Sequence, residues 1–216
     1  MFVPISFNVL YSTEREQKNL SDFQKKALIG LLLGDVHIER AKPSHNARLC
    51  FDQSLNKHSE YIMYLYSIFK DFVGTPPKAT NRKPDIRTGK IYNSLQFKTL
   101  RYPCFSSYHD LFYLKGTKLL PKNINELITD IGLAFWIMDD GGLSTNGGLI
   151  IHTNSFTKLE VEILVNLLQD KFQLQCKPII RNSNQWAINI PKKEMVNIQN
   201  LIKKYVHYSM KHKIGL

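Results

Sequence analysis

The stretch ALIGLLLGDVHIER, residues 27–40, decides the fold. Its first eight residues are all apolar or glycine, and Asp35 then follows directly on Gly34. Apolar and small residues recur at helical spacing between Phe23 and Gly34, which is typical of a helix with a buried face. The stretch therefore predicts a buried helix that ends by presenting a carboxylate.

A second stretch of the same form, GLAFWIMDDGGLS, occupies residues 132–144 and predicts another apolar helix, which ends at Asp140. Glycine inside a helix costs about 1 kcal/mol relative to alanine, so repeated glycines indicate a need for close packing. The two helices are therefore expected to cross with their backbones near each other. The small residues available for this contact are Gly30 and Gly34 on the first helix and Gly132 and Ala134 on the second.

Such a crossing would bring Asp35 and Asp140 side by side at two helix C-termini. A carboxylate is unfavourable there, because the C-terminal end of the helix dipole is already negative, and a second carboxylate nearby adds like-charge repulsion. A divalent cation removes both conflicts. Two carboxylates suit Mg²⁺, which keeps waters and takes phosphate oxygens as further ligands, and this predicts metal-assisted hydrolysis of a phosphodiester. The alternative is that each aspartate simply ends its helix in solvent.

Composition indicates a polyanionic partner. The chain has 216 residues, 43% of them hydrophobic, and a formal net charge of +11, which favours a nucleic-acid partner over a generally basic, solvated surface. Three widely spaced cysteines argue against a disulfide framework or zinc site. No apolar run is long enough to span a bilayer, and the N-terminal residues lack the basic region of a signal peptide. Abundant Asn, Lys and Ile are typical of AT-rich organelle genomes.

The remaining segments repeat one order in each half of the chain, helix–strand–helix–hairpin–helix, with one further strand expected per half. Such a long-period duplication predicts pseudo-two-fold symmetry. Gly141-Gly142 and Gly147-Gly148 are interpreted as turns. The first half has a predicted strand at 45–54, helices at 59–73 and 105–115, and a hairpin at 78–100; the second has a strand at 147–156, a helix at 157–172, a hairpin at 175–191 and a helix at 192–206.

The chain resembles a single-chain, two-motif LAGLIDADG homing endonuclease. LIGLLLGD matches the first motif and LAFWIMDDG the second. The resemblance continues through CFDQSLNKHSEYIMYLYSIF, GTKLLPKNI and HTNSFTKLEVEILVNLLQDKFQL. It implies an α+β fold of two pseudo-symmetric αββαββα halves, with antiparallel saddle-shaped sheets and two central packed helices. We expect the halves at 21–115 and 127–216, a linker at 116–126, and a monomeric protein.

The resemblance also implies a function: Mg²⁺-dependent cleavage of both DNA strands at a long asymmetric site. Mn²⁺ is expected to substitute for Mg²⁺, and Ca²⁺ to support binding only. Asp35 and Asp140 match the family's metal-binding acids, whereas Asp139 precedes the matching acid and is not expected to be a ligand. Lys118 and Lys213 match the family's basic catalytic residues, with Lys211 as an alternative to Lys213.

Polar residues on the first strand of each half fall near the family's positions that surround the metal ligands. The candidates are Asp52 or Gln53, and His152 or Thr153. The choice depends on register, because a slip of one residue turns a strand side chain to the other face. The pseudo-symmetry predicts a small residue opposite Gly30, but Phe135 occupies that position in the second motif. The two helices are therefore expected to cross asymmetrically.

DNA contacts are expected from the two hairpins and the first strand, because a strand pair fits the major groove and Arg, Lys, Asn and Gln pair with base edges there. For any one residue the alternative is contact with phosphate or solvent. The candidates are Arg48, Lys78, Arg82, Lys83, Arg87, Lys90, Asn93, Gln96 and Lys98 in the first half, and Lys177, Arg181, Asn182, Asn184, Gln185 and Asn189 in the second.

Two other functions remain open on this fold. An RNA maturase that assists group I intron splicing would keep the basic surface without needing both acids. A non-catalytic DNA-binding protein would not need them either. The presence of Asp35 and Asp140 favours the intron-encoded enzyme. An organelle, either mitochondrion or chloroplast, is the expected location, and double-stranded DNA, with host intron RNA as a second candidate, the expected partner.

Overall fold

The computed structural model describes residues 17–81, 83–84, 86, 89–181 and 185–216. Two series of elements follow the same order, helix–strand–strand–helix–strand–strand–helix. The first series is α1 (Asp22–Leu33), β1 (His37–Glu39), β2 (Arg48–Ser54), α2 (Leu55–Phe69), β3 (Lys78–Asn81), β4 (Asn93–Lys98) and α3 (Pro103–Phe112).

The second series is α5 (Asp130–Asp140), β7 (Gly141–Leu143), β8 (Leu149–His152), α6 (Lys158–Phe172), β9 (Lys177–Ile180), β10 (Trp186–Ile190) and α7 (Met195–Ile202). Between the two series lie β5 (Tyr113–Leu114), β6 (Thr117–Lys118) and α4 (Ile124–Leu127). Short 3-10 helices occupy Lys70–Phe72, Lys192–Glu194 and Tyr208–Ile214.

Each series contains a four-stranded antiparallel sheet with an equivalent strand order, β1-β2-β4-β3 in the first and β7-β8-β10-β9 in the second. The predicted α+β architecture of two αββαββα series is therefore confirmed. The division of the chain into halves at 21–115 and 127–216 stays a prediction. Among the described residues, no helix combines the length and apolarity that a bilayer crossing requires.

Local signals explain where the helices begin. Ser21 caps α1 and forms a capping box with Gln24, and Thr157 and Glu160 form the same arrangement before α6, which satisfies backbone N–H groups that the first turn leaves free. Central helices α1 and α5 are buried along most of their length and join the two series in one apolar core. Their central portions therefore lie in the interior of the molecule.

Several predicted boundaries are corrected. The further strand that the sequence predicts in each half, without giving its position, is β1 in the first series and β7 in the second. Gly141-Gly142 therefore lie in a strand and not in a turn. Helix α2 begins at Leu55, four positions before its predicted start, and departs from helical geometry at His58, with φ −129° and ψ 25°. Helix α3 ends at Phe112, and the next residues form the β5–β6 hairpin, whose turn uses the positive φ of Gly116, 82°.

Candidate active centre and nucleic-acid interface

The two central helices touch through their backbones. A Cβ atom placed on Gly30 would lie 1.9 Å from the carbonyl oxygen of Gly132, so position 30 has no room for a side chain, whereas a Cβ on Gly132 would make a tight contact of 3.1 Å with the Lys26 carbonyl oxygen. Phe135 is not opposite Gly30, contrary to the prediction, because its ring packs against Phe23 and Tyr64 at centroid distances of 6.0 and 6.1 Å. Close approach therefore depends on the Gly30–Gly132 pair.

Gly34 makes a second close contact, with Asp139 of the other central helix. A Cβ atom on Gly34 would lie 2.6 Å from both the Cβ and the Oδ2 of Asp139. Asp139 is 8% exposed; its carboxylate accepts hydrogen bonds from the Tyr61 hydroxyl at 2.8 Å and from the Asp35 backbone N–H at 3.1 Å. Burial and the nearby Asp35 charge raise its pKa well above the usual range. Asp139 thus joins the two central helices to α2, with both carboxylate oxygens engaged by protein donors.

Asp35 and Asp140 lie at the C-terminal ends of α1 and α5. Asp35 is exposed and Asp140 is half-buried. Burial, followed by the charge of Asp35, raises the pKa of Asp140 to about 7. The Asp35 N–H donates to Asp139, the residue before Asp140, at 3.1 Å, so the two helix ends lie together. Two neighbouring carboxylates oppose each other's ionisation, and a bound cation relieves that conflict.

Two lysines, the half-buried Lys118 and the buried Lys213, lie against these helix ends in equivalent positions. The Nζ of Lys118 donates to the Gly34 carbonyl at 3.1 Å, and the Nζ of Lys213 donates to the Asp139 carbonyl at 2.6 Å and to that of Met138 at 2.5 Å. Gly34 and Asp139 immediately precede the two acids, so each ammonium group lies beside one acid. Burial lowers the pKa of both lysines, and the surrounding aspartates oppose that shift. The alternative candidate Lys211 is exposed.

Sheet register separates the paired candidates on β2 and β8. The amide Nε2 of Gln53 donates to Asp35 Oδ2 at 2.9 Å, whereas Asp52 lies on the opposite face and accepts from Gln96 at 2.8 Å. Asp52 therefore does not contact the Asp35 carboxylate. Thr153 is buried and donates to the Trp186 carbonyl at 2.7 Å, so its hydroxyl hydrogen is already used within the sheet.

His152 lies on the face of its sheet opposite to Thr153, as strand alternation requires. Burial and the charges of Arg181 and Lys213 lower its pKa, so its ring is near both cations. His152 shares its sheet face with Ile150 and Asn189, so it is the counterpart of Asp52 and not of Gln53.

Sequence reasoning missed three side chains of this region. Tyr61 binds Asp139, His58 binds Gln53, and Glu39 binds Arg48 and Lys98. The first two lie on α2, in a segment whose apolar pattern predicts an ordinary core helix. The position of Glu39 on a three-residue strand also carries no sequence signal. Only the pairing of elements brings these residues to the site.

The first sheet has an open face, away from the apolar core, that carries most of the predicted first-half contacts. Arg48, Lys78, Gln96 and Lys98 share this face, because the register pairs Lys78 with Gln96 and places Lys98 opposite Cys50. Asn93 belongs to the other face, with Phe97, and its side-chain oxygen is buried, which corrects its predicted outward orientation. Lys83 and Lys90 are exposed in the hairpin loop; Arg82 and Arg87 lie outside the described residues.

Glu39 anchors the cations of this open face. Its Oε2 lies 2.7 Å from Arg48 Nη2 and 3.3 Å from Lys98 Nζ. The hydrogen bond from Arg48 is the main reason why the pKa of Glu39 is lowered to about 2. Gln96 is held similarly, because its Nε2 donates to both Asp52 and Ser94. An amide nitrogen has two N–H donors, so Gln96 presents its oxygen outward as an acceptor.

The second sheet has a corresponding open face. Its register pairs Asn189 with Lys177, and Lys177 is exposed while Asn189 is half-buried. Arg181 and Gln185 are exposed at the end of the hairpin, where the Arg181 N–H donates to the Gln185 carbonyl at 2.8 Å. Asn182 and Asn184 lie outside the described residues.

The donor set suits a cation with few protein ligands. The described residues contain no group of three or more His, Cys, Asp or Glu side chains that could hold a metal ion. Asp35 and Asp140 offer two oxygen ligands, which matches Mg²⁺ when waters and phosphate oxygens complete its coordination. Burial is the main reason why the pKa of Asp140 is raised, and the Asp35 charge adds to it although Lys118 and Lys213 act in the opposite direction. The residues present therefore fit Mg²⁺.

The fold is duplicated, and two acidic helix ends meet between two basic sheets. This combination is typical of a metal-dependent enzyme that acts on nucleic acid. The chain belongs to the LAGLIDADG DNA endonuclease family, whose model matches residues 25–198.

Individual relatives agree with this assignment. The chain is 33% identical over 208 residues to probable intron-encoded endonuclease 1 of Wickerhamomyces canadensis, covering 93% of this chain and 87% of the relative. It is 32% identical over 202 residues to the cytochrome b mRNA maturase bI2 of Debaryomyces hansenii, covering 92% and 76%. The structure of the homing endonuclease I-WcaI bound to its DNA recognition sequence matches with a TM-score of 0.87 at 31% identity, covering 99% of this chain and 94% of that chain.

Proposed function

We propose that this protein is a homing endonuclease that hydrolyses one phosphodiester bond in each strand of a long, asymmetric DNA site. The observation that carries the proposal is the convergence of the two helix ends that bear Asp35 and Asp140, joined by the hydrogen bond from the Asp35 N–H to Asp139, with a lysine beside each acid. A relative that covers most of this chain is named an intron-encoded endonuclease, and the similar I-WcaI structure is described as bound to its DNA recognition sequence.

Asp35 and Asp140 would hold Mg²⁺ in this proposal. When bound, Mg²⁺ would supply positive charge that offsets both carboxylates and polarises the scissile phosphodiester. Asp139 would not be a ligand, because its oxygens accept from Tyr61 and from the Asp35 N–H. Its role would be to fix the position of the Asp35 backbone against α5.

Lys118 and Lys213 would stabilise the negative charge that develops on the phosphate during attack. Their carbonyl partners hold both ammonium groups beside the acids. A lysine ammonium carries three N–H donors, so each can bind its carbonyl partners and still donate to a phosphate oxygen. Burial strengthens that electrostatic interaction by excluding water.

The open faces of the two sheets would bind the DNA. Strand pairs fit the major groove, where Arg and Lys recognise guanine, and phosphate contacts would make binding weaken steeply with salt through counterion release. Gln96 would read an amino group of adenine or cytosine through its oxygen alone, because its nitrogen is engaged by Asp52 and Ser94. Arg48 and Lys98 would approach DNA in the geometry that Glu39 imposes.

Replacing Glu39 with Gln is expected to increase affinity for random-sequence DNA. The change removes one negative charge from a DNA-facing surface and releases Arg48 and Lys98 to bind phosphates, so the salt dependence should steepen by about one counterion. Fluorescence anisotropy of a labelled duplex across a salt series would measure both quantities. Glu162→Gln, which alters an exposed helical pair with Lys158, is the matched control. Unchanged affinity and slope in Glu39→Gln would place Glu39 outside the DNA surface.

Mg²⁺ is expected to support plasmid cleavage and Ca²⁺ to support binding alone. The proposed acids provide oxygen ligands that both ions accept, but only the smaller ion is expected to hold the reacting groups in the tight octahedral geometry needed. Cleavage of a target selected from a randomised library, run in parallel with a gel-shift assay, would test this. Mn²⁺ should restore cleavage. Efficient cleavage in EDTA would refute the metal assignment.

RNA maturation is a second candidate function, because a maturase of cytochrome b mRNA is among the relatives that span most of the chain. Splicing of a host intron would use the basic surface without the acids. Asp35→Asn would then abolish DNA cleavage while splicing in vitro continues. Loss of both activities together would indicate a shared site.

The remaining sequence-based expectations are part of this proposal. They are a monomer, pseudo-symmetric halves at 21–115 and 127–216 joined through 116–126, and an organellar location. The mitochondrion is favoured over the chloroplast, because cytochrome b mRNA is the substrate named for one relative.

A further inference from the structure

A chain of three side chains leads away from Asp35. Gln53 Nε2 donates to Asp35 Oδ2 at 2.9 Å, and the Oε1 of the same amide lies 2.9 Å from Nδ1 of His58. His58 is half-buried within α2, where the helix departs from regular geometry. The departure from helical geometry thus occurs at the residue that contacts Gln53.

The direction of these hydrogen bonds follows from chemistry. An ionised carboxylate can only accept, so the NH₂ of Gln53 must face Asp35 and its oxygen must face His58. Nδ1 of His58 must therefore carry a hydrogen. Burial and the charge of Lys213 lower the pKa of His58, which favours a neutral ring, and the contact with the Gln53 oxygen then requires its hydrogen on Nδ1. If the Gln53 amide were flipped, its NH₂ would face the Nδ1–H of His58. Two donors would then oppose each other, so this tautomer of His58 disfavours the flipped orientation.

The second half lacks this arrangement. His37 and Gly142 each lie two positions after their acid. His37 pairs with Cys50 on the next strand, and Gly142 pairs with Ile150. Gln53 and Thr153 both lie three positions beyond these partners and are therefore equivalent. Thr153 gives its hydroxyl hydrogen to the Trp186 carbonyl at 2.7 Å, so it does not reach toward Asp140.

The counterpart of His58 is also different. Five residues beyond Thr153 lies Lys158, whose Nζ is 5.4 Å from the centroid of the Trp186 ring and 3.7 Å from Glu162. Both contacts belong to the outer side of α6. The amide-and-imidazole pair is consequently a property of the Asp35 half alone.

We propose that His58 is a positioning residue that orients the Gln53 amide toward the Asp35 carboxylate, and that this pair acts on cleavage of one DNA strand only. The inference rests on the proposed endonuclease function. It assigns the two halves unequal means of holding their acids: an amide donor beside Asp35, and burial with the Trp136 indole, but no amide, beside Asp140. Loss of His58 should therefore unbalance the two cleavage events.

Strand-specific cleavage measures this effect. With each strand of the target labelled separately, His58→Ala should slow one strand by about 10- to 100-fold, the usual range for residues that orient metal ligands, and leave the other within about threefold, so that nicked product accumulates. His58→Asn should restore much of the rate, because Asn Nδ2 is as many bonds from the backbone as His Nδ1 and is always a donor. Lys158→Ala, at the equivalent position, should alter neither strand. Equal slowing of both strands, or no slowing, would overturn the proposal.

The tautomer of His58 provides a readout that needs neither DNA nor metal. In ¹⁵N-labelled protein at pH 8, with the His58 signals assigned by comparison with His58→Asn, Nδ1 should have the chemical shift of a protonated nitrogen and Nε2 that of an unprotonated one. Gln53→Leu should abolish this preference. An Nε2-protonated ring in the parent protein would overturn the proposal even if strand rates differ. Failure of the parent protein to cleave any DNA would contradict the endonuclease function instead, while the tautomer would still decide the orientation of Gln53.

Discussion

Asp35→Asn and Asp140→Asn are each expected to eliminate double-strand cleavage while affinity for target DNA remains within about threefold of the parent. Asparagine keeps the shape of the side chain but removes the negative charge that would hold Mg²⁺ at the scissile phosphate. A loss of at least about 10³-fold in rate is expected, which corresponds to about 4 kcal/mol of transition-state stabilisation. Plasmid linearisation and a binding assay in Ca²⁺ would measure the two quantities side by side.

Stability measurements separate this loss from unfolding. The pKa of Asp140 is raised to about 7 in the folded protein from a usual value of 3.8, so its ionisation opposes folding, and the penalty is complete above pH 7 and relieved as the pH falls toward 4. Asp140→Asn removes the penalty and should melt at a temperature at least as high as the parent at pH 8. Asp170→Asn, on the exposed surface of α6, should change neither cleavage nor melting. Cleavage that survived either active-centre change would refute the assignment of the acids.

Gly30→Ala is expected to be the most destabilising small substitution in the central helices. The new methyl group would lie 1.9 Å from the Gly132 carbonyl oxygen, and both partners are helix backbone, which cannot rotate away as a side chain can. We expect a loss of at least about 3 kcal/mol, at the severe end of overpacking effects. Urea denaturation followed by circular dichroism would measure it.

The matched control for this change is Gly142→Ala. No atom lies within 4 Å of a Cβ placed at Gly142, and the substitution should be neutral or stabilise the protein by up to about 1 kcal/mol, because alanine has fewer unfolded conformations. If Gly30→Ala were no more harmful than Gly142→Ala, the close approach of α1 and α5 would be incorrect.

The order of elements was predictable because it depends on local signals. Ser21 and Thr157 lie directly before apolar periodic segments, and the helices begin where these caps indicate. Strands β1 and β7 contain only three residues each, too few to show the alternation that identifies a strand. The double glycine at 141–142 indicated a turn, but both residues pair with β8. The hydrogen bonds that the neighbouring strand supplies outweigh the preference of glycine for turns.

The active centre was predictable only where a residue type is unusual for its position. An aspartate at the end of an apolar helix is such a signal, and it identified Asp35 and Asp140. The choice between Asp52 and Gln53 required the pairing of β2 with β4, since adjacent strand residues face opposite sides. His58 and Tyr61 reach the site only because α2 packs against the central helices, and no periodicity in their own segment indicates a polar role.

The contact between Gly30 and Gly132 also limits exchange of halves between relatives. Recombination of an N-terminal unit from one enzyme with a C-terminal unit from another is an obvious route to new target sequences, because each sheet would bring its own base contacts. The junction here is backbone against backbone, so a donor with any side chain at position 30 would force the helices apart and separate the two carboxylates. A Cβ at position 132 would lie 3.1 Å from the Lys26 carbonyl oxygen and would require a smaller adjustment. Compatible donors can therefore be chosen by these two positions before any DNA contact is considered.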